Sequence, residues 1–145
     1  MLETLMDSKV VDAPDDVAHS LKVRKTLWLE TVRRVNGDPT IRSEYWLPTG
    51  QPLNQAQRNA LSLDSGIRAI RELVGFDMTP VWRGYDAAAA SRRDAGVLEI
   101  PVSAPVLVRF GLNSDFDGNP VLFIKRYIRA GSTRMVMRYP KPSSG

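Results

Sequence analysis

"TLWLETVRRVNGDPTIRSEYWLP", residues 26–48, decides the fold. Two runs that alternate apolar and polar side chains, 26–35 and 39–47, meet at Asn36-Gly37, a pair that tolerates positive φ at both central positions of a two-residue turn. The segment is one antiparallel hairpin. "APVLVRFGLNSDFDGNPVLFIKRYI", residues 104–128, repeats the arrangement around Asp117-Gly118. Successive hairpins build an antiparallel sheet.

The stretches around the hairpins supply the helices. "APDDVAHSL", residues 13–21, has Pro14 near its start, two acids in the first turn and Val17, Ala18 and Leu21 at helical spacing. "LDSGIRAIRELVGF", residues 63–76, places Leu63, Ile67, Ile70, Leu73 and Val74 on one helical face and ends at Gly75. "MTPVWRGYDA" reads as a strand. "SRRDAGVLEIP" reads as a short helix with Ser91 as N-cap and Asp94 three residues on as the capping-box acid. "STRMVMRYP" reads as a last strand. The predicted order is helix, hairpin, helix, strand, short helix and three strands. This is an α+β fold, an antiparallel sheet of about six strands with helices packed on one face. Residues 1–139 read as one domain, and the Pro/Ser/Gly tail, 140–145, as a disordered end.

At 145 residues, 43% hydrophobic and 25% charged, the composition is that of one folded domain. The absence of cysteine excludes a disulfide scaffold and any thiolate chemistry. No apolar run reaches the roughly 20 residues that cross a bilayer, and the first residues lack a signal-peptide layout. The expected location is the cytoplasm, with no membrane contact. A formal charge of +4 suits an anionic ligand without demanding a nucleic acid. His19 lies on the first helix and reads as a surface residue. Neither GxGxxG nor GxxxxGK[ST] occurs, and Asp15-Asp16 and Asp115/Asp117 sit where carboxylates cap backbone N–H groups. No cofactor, metal or catalytic group is expected.

The basic residues on strands carry more information, because a guanidinium forks onto carboxylate or phosphate. Strand alternation places Lys125, Tyr127 and Arg129 on one face and Arg126 with Ile124 and Ile128 on the other. Aromatic residues interleave with them, but at 8% of the chain and without an RNP-type motif they do not make a base-stacking platform.

"TVRRVNGDPTIRSEYWLP" resembles the first hairpin of UTRA domains, the effector-binding domains of HutC-type GntR regulators, with their R-x-R-x-x-(D/N)-G-x-P and E-x-x-Y-L-P. "LEIPVSAPVLVRFGLNSDFDGNPVLFIKRYIRAG" resembles their L-x-I-P-x-x-x-P-(V/L)-L, D-x-x-G-x-P-V-E-(Y/F)-S and closing Y-x-R. "VRRVNG", "LEIP" and "RA" look most like the phosphonate-operon regulators. The resemblance covers nearly the whole chain. It implies a chorismate lyase-like fold, a homodimer, a small, anionic effector, and DNA contact only through a winged helix-turn-helix domain that this chain does not contain. It also implies a pocket in which Arg33 supplies charge, Ser43 and Ser62 supply hydrogen bonds, Asp64 meets an amine or hydroxyl, and Tyr127 with Arg129 forms the far wall. The chain departs from the family pattern at Thr31, Ser43, Asp64 and Leu122, where the motifs have Arg, Glu, Tyr and Glu. The alternatives are a chorismate pyruvate-lyase-like enzyme and a dimerising scaffold with a vestigial pocket.

Overall fold

The computed structural model describes residues 3–61, 66–74 and 77–142. In chain order the elements are β1 (Glu3–Asp12), α1 (Asp15–Leu21), β2 (Lys25–Val35), β3 (Asp38–Leu47), α2 (Gln55–Leu61), α3 (Gly66–Val74), β4 (Thr79–Ala89), α4 (Arg92–Leu98), β5 (Pro105–Ser114) and β6 (Pro120–Arg129). The strands form one six-stranded sheet in the order β1-β2-β3-β6-β5-β4, with every neighbouring pair antiparallel.

Both predicted hairpins form at their predicted turns. Asn36 and Gly37 take φ of 51° and 85°, the left-handed pair that matches the twist of the flanking strands. At the second turn Asp115 Oδ1 accepts from the amides of Asp117 and Asn119, both at 2.9 Å, and Gly118 takes a φ of 84°. The sixth strand is not where the sequence put it. Among the described residues, 132–142 form no strand, and β1 fills the place at the other end of the sheet. β1 eludes pattern reading because Glu3 and Ser8 are buried polar residues and the register shifts between Leu5 and Asp7.

The helices cover both faces of the sheet rather than one. On the first face, called face A, Leu27, Leu29, Tyr45, Leu47, Leu122 and Ile124 pack with Leu61 of α2 and Ile70 of α3. On the opposite face, face B, Trp46, Phe123 and Leu112 pack with Val17 and Leu21 of α1. Trp46 meets Phe123 edge-on with centroids 6.1 Å apart. α4 also lies on face B, where Leu98 joins Val106 and Val108. Alternation along β3 and β6 separates the layers, since Tyr45 pairs with Ile124 on face A and Trp46 with Phe123 on face B. Each fully buried Leu or Val contributes about 1.5–3 kcal/mol by leaving water, so the sheet is clamped from both sides.

Two helix starts are set by reciprocal side-chain caps. Ser91 Oγ accepts from the Asp94 amide and Asp94 Oδ2 accepts from the Ser91 amide, both at 3.0 Å, as predicted for α4. Asn54 and Gln57 make the same exchange at the start of α2.

Candidate functional site

The charged side chains on the two faces differ in how they are compensated. On face B, Arg42 of β3 is buried. Its Nε donates to Asp94 Oδ1 at 2.9 Å and its Nη1 to Glu30 Oε2 at 3.0 Å, and Glu44 lies 3.4 Å away. Arg93 of α4 binds the same Glu30 carboxylate, and Trp28 Nε1 donates to Glu44 Oε2 at 2.8 Å. The Tyr127 ring stacks against the Arg42 guanidinium at 4.2 Å. Burial pushes the Tyr127 hydroxyl up and Glu44 adds to it, to about 12. Burial would lower the Arg42 pKa, but Glu44 and Asp94 outweigh it and hold it above the ordinary value. The two arginines face three carboxylates here, so the cluster ties α4 to the sheet and has no spare cation for an anionic ligand.

Face A is different. Arg126 of β6 donates from Nη1 to Ser43 Oγ at 2.8 Å and to Tyr45 Oη at 2.9 Å, and Tyr45 in turn donates to Glu3 Oε2 at 3.0 Å. Glu3 Oε1 lies 3.7 Å from Arg126 and 3.9 Å from Arg33. Beside this chain a cavity of about 290 Å³ opens between β4, β5, β6 and α3. Among the described residues, Arg71, Arg83, Arg109 and Arg126 line it with Met78, Pro80, Phe110, Gly111, Asn113 and Ile124, and no carboxylate is among them. Arg83 is fixed by donating from Nη2 to Asn113 Oδ1 at 2.7 Å and from Nη1 to the carbonyls of Trp82 and Leu112. Burial lowers its pKa, and Arg109 and Arg126 lower it further. The smaller contributions to that shift come from cations facing one another. A larger hollow of about 540 Å³ lies at the start of α2, lined by Leu27, Leu47, Leu53, Leu73 and Val121 with Thr49, Gln51, Asn54 and Gln57, and no ionisable side chain is among its described lining residues.

The structure brings only part of the sequence-predicted set together. Arg33 and Ser43 lie on face A, joined through Glu3 and Arg126. Tyr127 and Arg129 point to face B, so they cannot wall the same pocket. Tyr127 lies against Arg42, and Arg129 Nη1 reaches the Pro39 carbonyl at 3.5 Å. Ser62 and Asp64 fall outside the described residues. Sequence reasoning missed Arg71, Arg83, Arg109 and Glu3, and passed over Arg126. A signal was present, because counting back from Asp117-Gly118 puts Arg109 opposite Arg126.

The family profile of the UTRA domain matches residues 3–134. This chain is a member of the UTRA domain family. Solved structures share the fold of this UTRA domain at low identity. The effector domain of PhnF from Mycobacterium smegmatis has a TM-score of 0.77 at 19% identity, covering 95% of this chain and 87% of that one. A GntR-family transcriptional regulator from Enterococcus faecalis V583 has 0.76 at 14%, covering 94% and 99%. YydK from Bacillus subtilis has 0.79 at 17%, covering 96% of this chain but 61% of its own length. The UTRA domain described here thus spans about three fifths of the YydK chain. No helix among its described residues is long and apolar enough to cross a membrane.

Proposed function

We propose that this UTRA domain is the effector-sensing and dimerising part of a GntR-type, HutC-class transcriptional regulator in the cytoplasm. Its effector is a small anion held on face A, and DNA is contacted by a winged helix-turn-helix domain outside this chain. The observation that carries the reading is the arginine-lined cavity with no carboxylate among its described lining residues, set beside Ser43 and within reach of the Arg126–Tyr45–Glu3 chain. Arg33 extends the same positive field from β2. The chemistry required is binding, not turnover. An effector that prefers one arrangement of two subunits shifts the population toward it, by no more than its differential affinity for the two states. A two-fold operator calls for a two-fold sensor, which is why the active unit is a homodimer.

A thermal-shift screen over phosphonates, sugar phosphates, amino acids and aromatic carboxylates tests the reading, with chorismate included and assayed for pyruvate. A bound ligand raises the melting temperature by mass action. The expected result is a stabilising anion whose effect disappears in Arg126→Gln, with no pyruvate formed. Pyruvate release would replace the sensor with a lyase. Silence across the whole screen would leave a dimerising scaffold.

A further inference from the structure

We infer that the face A cavity is built for a small dianion, two acid groups on a short linker, held by Arg83, Arg109 and Arg126. The inference rests on the sensor reading and specifies its ligand class. Arg109 and Arg126 are directly opposite in the β5–β6 register, a like-charge cross-strand pair that opposes sheet formation unless a counter-charge sits between. Arg83 projects from the next strand, where it pairs with Gly111. A β-carbon at position 111 would lie 2.4 Å from the Trp82 carbonyl oxygen and 2.7 Å from Arg83 Nη1, so the glycine is what lets the third guanidinium lie across the sheet.

Two of these three arginines are held in place by the protein. Arg83 is fixed by Asn113 and two carbonyls, and Arg126 by Ser43 and Tyr45. Arg109 has no hydrogen bond or ion pair to a described residue and stands between them. Among the described residues, the nearest carboxylates are committed elsewhere. Glu3 lies behind Arg126 and is shared with Arg33, and Asp77 is 3.9 Å from Arg71 at the rim. One negative charge would therefore leave a guanidinium pair still in repulsion, and two would not. At about 290 Å³ the space is at the lower end of small-molecule sites, and Met78, Pro80 and Ile124 offer an apolar wall to a short linker.

Isothermal titration of the whole chain at fixed ionic strength tests this with phosphonoacetate, malonate and acetate. Phosphonoacetate and malonate are expected to bind, with acetate weaker by roughly 30-fold or more, the factor worth one lost charge-assisted hydrogen bond. Arg109→Gln is expected to lose at least about tenfold in dianion affinity while melting higher than the parent in anion-free buffer, because it removes the repulsion. A residue with a purely structural role would lower the melting temperature instead. Equal binding of acetate and malonate, undiminished binding in Arg109→Gln, or no binding of either dianion overturns the inference. A neutral or singly charged ligand lost in Arg126→Gln would overturn it too, while leaving the sensor reading in place.

Discussion

Asp94 does two things with one carboxylate: Oδ2 caps the first turn of α4 and Oδ1 receives Arg42 from the sheet. Glu30 makes the second anchor. It is buried beneath both Arg42 and Arg93, and although burial pushes its carboxyl up, the bonds and charges of the two arginines outweigh that and hold it below the ordinary glutamate value. The linkage sign follows. A carboxyl whose folded pKa is depressed binds fewer protons folded than unfolded near its titration, so its stabilisation is complete above the unfolded value of about 4.3 and is lost as pH falls through the folded one. Acid unfolding below about pH 4.5 should therefore be less steep in Glu30→Gln than in the parent, as read from urea midpoints at a series of pH values. Parallel pH profiles would show that Glu30 carries none of the acid sensitivity. Removing one partner of such a buried pair typically costs 3–5 kcal/mol, so the variant should also be less stable at neutral pH.

The elements that were legible in the sequence are those with a local physical cause. Asn36-Gly37 and Asp117-Gly118 fix two hairpins because few other residues take positive φ cheaply, and Ser91 with Asp94 marks the start of α4. β1 was not legible, since its Glu3 and Ser8 are buried by a tertiary partner, Tyr45 from two strands away in the case of Glu3, that alternation cannot foresee. α2 was missed because it is a seven-residue helix whose Asn54–Gln57 cap lies in a stretch without apolar periodicity. The candidate site was half legible. The motif resemblance drew Tyr127 and Arg129 into the pocket, whereas strand parity, read from the same residues, sends them to face B and Arg126 to face A. A test at this scale is Gly37→Ala. Open space surrounds the position, so only the left-handed backbone is strained, and a loss of about 1–2 kcal/mol should register in chemical denaturation. An unchanged midpoint would mean that the turn does not set the hairpin.

At the scale of the whole molecule, the sheet separates two tasks. Face B uses compensated charge to fasten α4, and α1 packs its apolar side chains on the same face. Among the described residues, face A leaves positive charge uncompensated between β4, β5 and β6. Because Arg126 touches both the cavity and the Tyr45–Glu3 chain that reaches β1, an anion drawn to the arginines acts on a network that joins β6 to β3, β1 and β2. In the homodimer proposed above, that network would be a route by which occupancy biases how two subunits sit. The direct measurement is phosphonoacetate affinity by calorimetry in Arg126→Gln and in Arg129→Gln, two arginines three residues apart on opposite faces of one strand. The account predicts at least a tenfold loss, about 1.4 kcal/mol, in Arg126→Gln and parent affinity in Arg129→Gln; the reverse pattern would contradict it.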